Sequence, residues 1–175
     1  MISIEHQGTS GAIVTDAITA ESVVNEVSRI TGFLVPPTQV FGMAQHYLGF
    51  PITMSFKSDT LKLVLHNLVI SLVQNGFERI YFINWHGGNT RIVNAAFDQI
   101  YSTVLDRNLE AAQKIKCKLS SWFLVPEVFK IANELFWGKE WRHATQSEIA
   151  LTLHLEPTLL AKHKPLPDPV PSGPI

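Results

Sequence analysis

Apolar residues recur at helical spacing between Ala17 and Thr31, where Ile18, Val23, Val24, Val27 and Ile30 line one side of AITAESVVNEVSRIT. The pattern predicts an amphipathic helix, with Asp16 placed to cap it and Gly32 to stop it. The apolar run Phe33 to Val35 predicts a short buried strand, ended by Pro36 and Pro37, which cannot donate to a sheet ladder. A second helix is predicted over Thr60 to Gln74, dense in Leu and Val, capped by Ser58 or Asp59 and closed by Asn75-Gly76. Arg79 to Asn84 (RIYFIN) is β-branched and aromatic, the composition of a parallel strand covered on both faces. Ile92, Val93, Ala96, Ile100, Val104 and Leu105 put another apolar stripe on a helix over Thr90 to Arg107.

Further along, Lys116 to Leu124 alternates as a strand does, Pro126 to Phe136 reads as a helix opened by proline, and Ser147 to Leu155 is a last short helix. Thr145 or Gln146 starts that helix and Pro157 halts it. Met1 to Ile4 supplies part of a first strand. Strands and helices take turns, and their connections are too long for hairpins. That order predicts an α/β fold with a mostly parallel sheet and helices on both sides. One domain is expected over residues 1–160, without internal repeats, followed by an extended Pro-rich tail over 161–175.

Composition narrows the classes. With 46% apolar and 17% charged residues, a chain of 175 residues can bury a sizeable core. Fourteen basic against fifteen acidic residues, with no long basic run, speak against nucleic acid or an anionic membrane as partner. One cysteine, Cys117, allows no internal disulfide and suits a reducing compartment. No segment has the length and apolarity of a signal peptide or membrane span, so a cytoplasmic protein is expected.

In an open parallel sheet, ligands collect where strands end and lead into helices. The first such exit carries EHQGTSGAIVTD, Glu5 through Asp16. The exit of RIYFIN carries Asn84-Trp85-His86-Gly87-Gly88-Asn89, and the segment beyond the last strand leads to Trp137, Trp141, His143 and Glu148. A histidine followed by two glycines can present its ring unobstructed, while the glycines let the backbone turn or approach a ligand closely. One imidazole and two carboxylates, His86 with Glu5 and Asp16, make a ligand set suited to Zn, Mn or Fe. Of His143 and Glu148, one would then serve as general base or acid beside a metal-bound water and the other would orient it.

Each of these residues also has an ordinary reading. Asp16 can be a helix cap, Glu5 a solvated acid, Glu148 an acid favoured by a helix dipole, and His86 a turn residue bonded to a carbonyl. Trp85 and Trp141 either pack or wall a pocket. His46, in MAQHYLGFP, fits a site or a structural role, whereas His66 and His154 read as packing or cap residues. WHGGN can cradle an anion at a helix start but lacks the GxGxxG spacing.

Four stretches in order, EHQGTSGAIVTDA, FPITMSF, NWHGGN and HATQSEIALT, resemble the creatininase (creatinine amidohydrolase) family. The resemblance runs from Ile4 to about Pro157. It implies a three-layer α/β/α sandwich, hydrolysis of non-peptide amide bonds with divalent metals, and compact homo-oligomers, often hexamers. By position, Glu5, Asp16 and His86 match metal ligands, and His143 and Glu148 match the active-site histidine and glutamate. Trp85, Gly87, Gly88 and Trp141 fall where substrate would be bound. In creatininase itself a second-metal glutamate stands at the position of Gly88, which argues against creatinine as substrate.

The opening stretch departs from the family. A second-metal histidine is expected where this chain has Gln7, and the imidazole stands one step early at His6. A one-residue shift turns a strand side chain to the opposite face. The resemblance therefore implies one well-formed metal site, with a second left to Gln7 or to an inward-turned His6. Val14 and Ile52 stand where the family commonly has glycine. The expected activity is metal-dependent hydrolysis of a small amide; the alternative is a degenerate, non-catalytic member that acts by binding or assembly.

Overall fold

Two strands organise the molecule. β1 (Arg79–Asn84) and β2 (Lys116–Ser121) pair in parallel, from Arg79 opposite Lys116 to Asn84 opposite Ser121. Both therefore deliver their carboxyl ends to the same edge. The computed structural model describes residues 14–50, 52–107, 114–137 and 143–159.

The helices follow from the apolar spacing. α1 spans Thr15–Thr31, α2 Ser58–Gln74, α3 Thr90–Asp106, α4 Pro126–Phe136 and α5 Gln146–Leu155. Leu61, Leu65, Val69 and Val73 fall four residues apart on α2 and meet Val93, Ala96, Phe97, Ile100 and Val104 of α3. One face of the sheet, Ile80 and Phe82 of β1 with Cys117 and Leu119 of β2, closes this core. Each fully buried Leu, Ile or Val there contributes about 1.5–3 kcal/mol. The opposite face is covered by α1 and α5, through Ala17, Ala20, Val23 and Leu151 packed with Ile83, Trp85 and Trp122. Helices thus lie on both sides of a parallel sheet, the three-layer arrangement anticipated above.

Several boundaries moved, each for a local reason. α1 begins at Thr15 with Val14 as its N-cap and no side-chain cap bond, so Asp16 lies inside the first turn and is not the cap. Gly32 ends the helix at φ 72°, a left-handed conformation that glycine adopts without strain. Phe33 to Val35 pairs with no strand among the described residues, and Phe33 and Leu34 are exposed. Pro36 and Pro37, which carry no N–H, cannot extend a ladder beyond it. The last strand stops at Ser121, where Trp122–Leu124 forms a 3-10 turn that lays Trp122 flat on Trp85, ring centroids 5.1 Å apart. β1 is covered on both faces only toward its carboxyl end: Ile83 packs under α1 and α5, whereas Tyr81 on the same face is 55% exposed. The strand at Met1 to Ile4 and the tail at 161–175 lie outside the described residues.

Candidate functional site

The exit of β1 is built by two asparagines. Asn84, fully buried, receives the His86 N–H on Oδ1 at 3.3 Å and donates through Nδ2 to the His86 carbonyl at 2.7 Å and to Ser121 Oγ at 3.1 Å. Asn89, also fully buried, donates to Asn84 Oδ1 at 3.3 Å and accepts the Met43 N–H at 2.8 Å. Together they pin both sides of the 3-10 turn Gly87–Asn89, which leads into α3.

His86 is held by this frame and is 5% exposed. Its Nε2 lies 2.9 Å from the Met43 carbonyl. A carbonyl only accepts, so Nε2 carries the hydrogen, and in the neutral ring the lone pair belongs to Nδ1. That nitrogen lies 3.7 Å from Oδ2 of Asp16, itself 1% exposed. Burial holds the imidazole below its ordinary pKa, while Asp16, the Met43 carbonyl and Glu148 pull the other way. A lone pair facing a carboxylate in a desolvated setting is suited to a cation. Two donors each about 2.0–2.2 Å from a zinc ion, at a tetrahedral angle, stand about 3.4 Å apart. The observed separation suits two ligands of one ion.

The two glycines differ in what they do. Neither has positive φ, so a sharp turn is not their reason. A Cβ on Gly87 would make only ordinary contact with Phe123, at 3.8 Å. On Gly88 it would collide with His86 Nε2 and with the Met43 carbonyl. What approaches Gly88 closely is the protein's own histidine and carbonyl, which leave no room there for a glutamate side chain.

A run of rings joins this exit to the segment before α5. His46 lies over His86, centroids 5.9 Å apart and planes within 14°. Tyr47, next in the 3-10 turn Gln45–Tyr47, contacts the His46 ring at 4.1 Å and stacks on His143 at 4.1 Å with planes 22° apart. Desolvation, with the neighbouring His86 as a second cause, lowers the pKa of His46. Glu148 sits in a capping box: its Oε2 accepts from the Thr145 backbone N–H at 2.8 Å and from Thr145 Oγ1 at 3.0 Å, while Thr145 Oγ1 accepts the Glu148 N–H at 3.2 Å. The acid is thus both an N-terminal capping group and one of the charges felt by His86.

Of the residues singled out from sequence, Asp16, His86, Gly87, Gly88, His143 and Glu148 are placed as described. Glu5, His6, Gln7 and Trp141 lie outside the described residues. Among the described residues no three His, Cys, Asp or Glu side chains gather as a cation site; Asp16 and His86 form a pair. Trp85 is not presented to solvent: it is 2% exposed and packs behind the site, and its indole N–H and that of Trp122 are buried without a hydrogen-bond partner. Tyr47, Asn84, Asn89 and the Met43 carbonyl were not foreseen as site groups. The asparagines of NWHGGN were a legible signal, being amides on either side of a strand-exit histidine, whereas nothing local marks Met43.

Comparison with known proteins agrees with this fold. Solved structures similar to the chain include "Creatininase Mn", at TM-score 0.77 and 23% identity, and "Crystal structure of creatinine amidohydrolase (creatininase)", at 0.78 and 23%. A mutant creatininase of Zn–Zn type matches at 0.77 and 20%. In each case the match covers 90% of this chain and 64% of that one, so the chain spans about 64% of the length of these structures. No curated protein matches. Residues 2–174 match the family model described as Creatininase: creatinine amidohydrolase. With that match over nearly the whole chain, and with the shared fold, the chain belongs to the creatininase family.

Proposed function

We propose that this protein is a metal-dependent amidohydrolase that cleaves a non-peptide carbon–nitrogen bond in a small molecule other than creatinine. The observation that carries the reading is the His86–Asp16 pair: a buried imidazole whose Nδ1 faces a buried carboxylate 3.7 Å away. Glu5, Asp16 and His86 would hold a divalent ion such as Zn, Mn or Fe. When bound, such an ion supplies Lewis acidity to an amide carbonyl and to an attacking water. The crowding at Gly88 supports a single well-formed site, since the position where creatininase has a second-metal glutamate takes no side chain here.

The chain's own residues do the rest. His143 carries a proton to the departing nitrogen, the task of a general acid. Tyr47, stacked on it, fixes the plane of that ring. Glu148, held by Thr145, would orient that imidazole or reach the ion. The substrate is a small cyclic or linear amide, and the exposed apolar residues on and after α4, Phe129, Ile131, Leu135 and Trp137, support assembly with further copies of the chain.

The test is metal analysis of wild type and His86→Ala, each loaded with Zn or Mn and then desalted, alongside hydrolysis of a panel of small cyclic and linear amides. About one ion per chain in wild type, none in the variant, and hydrolysis that follows metal content are expected. If wild type retains no more metal than the variant, the hydrolase reading fails and a binding or assembly role takes its place.

A further inference from the structure

We infer that Asn89 is a positioning residue for His86, acting through the Met43 backbone to hold the imidazole with Nε2 on the Met43 carbonyl and Nδ1 toward Asp16. The functional sense of this rests on the metal reading above; the structural claim stands on its own geometry.

Neutral imidazole has two tautomers of similar energy, and a ligand histidine must present the correct one, which is why the group bonded to its other nitrogen matters. Here that group is the Met43 carbonyl, 2.9 Å from Nε2. The Met43 segment is a loop, and loops wander unless something holds them. Its N–H donates to Asn89 Oδ1 at 2.8 Å, the next N–H, of Ala44, donates to Ser55 Oγ at 2.8 Å, and Ala44 is fully buried. Asn89 is held in turn by Asn84, which also bonds the backbone of His86 itself. The loop of bonds is closed: His86 to Met43, Met43 to Asn89, Asn89 to Asn84, Asn84 back to His86.

An amide is the side chain that fits this place. It must accept from Met43 and donate to Asn84 Oδ1, and it must do so fully buried, where a charged acid costs more. Gly88 completes the arrangement by leaving space: any Cβ there would strike both members of the Nε2–carbonyl pair. A metal is thereby directed to Nδ1, on the side of Asp16, before any metal arrives.

The experiment is nitrogen–proton NMR of metal-free protein labelled at histidine nitrogen, on wild type, Asn89→Leu, Asn89→Asp and Gly88→Ala, paired with Zn titration. Wild-type His86 is expected as the Nε2–H tautomer. Asn89→Leu, which removes the acceptor for Met43, and Gly88→Ala, which pushes the carbonyl and ring apart without deleting a polar group, should each give mixed tautomers. Zn affinity should fall about 10- to 100-fold, as when other outer partners of metal ligands are removed. Asn89→Asp retains the acceptor and should keep more of the wild-type tautomer than Asn89→Leu. Circular dichroism confirms which variants are folded, and Gly88→Ala serves if Asn89→Leu is not. An Nδ1–H tautomer in wild type, or unchanged tautomer and Zn affinity in a folded Asn89→Leu or Gly88→Ala, would overturn the inference. The tautomer is read without metal, so a wild type that shows the expected tautomer yet takes up no Zn sinks the hydrolase reading alone.

Discussion

His86 Nδ1 and Asp16 Oδ2 stand 3.7 Å apart, both side chains shut away from solvent, one arriving from a strand exit and the other from the first turn of α1. The pair joins two layers of the fold at one point.

Replacing Asp16 by Asn tests what that carboxylate is for. It keeps the shape and removes a buried charge, whose burial costs free energy in the metal-free protein. Metal-free Tm is expected to rise by about 2–4 °C, the shift that corresponds to roughly 1 kcal/mol at this size. The additional Tm increase that Zn gives wild type should vanish. Scanning calorimetry with and without Zn reads both effects, and a variant that still gains stability from Zn contradicts the assignment.

Acid should weaken the fold through His86. Its pKa in the folded protein lies below the ordinary 6.5 because it is buried, so below pH 6.5 the unfolded chain binds the extra proton more readily than the native one. Stability is then fully present above about pH 6.5 and is lost as pH falls through the folded pKa. Urea midpoints between pH 7.5 and 5 should fall for wild type and fall less steeply for His86→Asn. Parallel slopes would remove His86 from the account.

Ile52 holds φ at 70°, a left-handed conformation that is costly for a β-branched residue, and its side chain is 58% exposed. Strain of about 1–2 kcal/mol outweighs the extra backbone entropy of glycine, near 0.4–1 kcal/mol. Ile52→Gly is expected to raise stability by about 0.5–1 kcal/mol, visible as a higher urea midpoint with an unchanged slope.

The capping box at α5 can be opened by Thr145→Ala, which removes the hydroxyl that Glu148 both bonds and is bonded by. A loss of about 1 kcal/mol is expected. If Glu148 does hold charge beside the histidines, the variant should also shift the pH dependence of amide hydrolysis; a change in urea midpoint alone would assign Thr145 and Glu148 to stability only.

Where the sequence could be read, the reason is periodicity. RIYFIN became β1 with the anticipated ends because β-branched and aromatic residues were bounded by turn formers on both sides. Leu61, Leu65, Val69 and Val73 declared the core face of α2 by spacing alone. FLV failed as a strand because an apolar run states only that burial is favourable, not that a partner strand lies alongside. Val14 and Ile52, both at positions where the family often has glycine, also separate: Val14 sits at φ −95°, open to any residue, and only Ile52 carries the left-handed backbone. At the site, His86 and Asp16 were legible as chemistry. Their distance was not, since it depends on how α1 lies against β1. The Met43 carbonyl was invisible for a simpler reason: every residue has one, and only the fold decides which carbonyl meets a histidine.

The turn Gln45–Tyr47 fixes a measure inside the molecule. With His46 against His86 and Tyr47 against His143, the gap between a strand-exit imidazole and the imidazole ahead of α5 is gauged by the thickness of two rings carried on adjacent residues. Chain length between those imidazoles then becomes free to vary, while any change of ring size at positions 46 or 47 re-sets the distance between them.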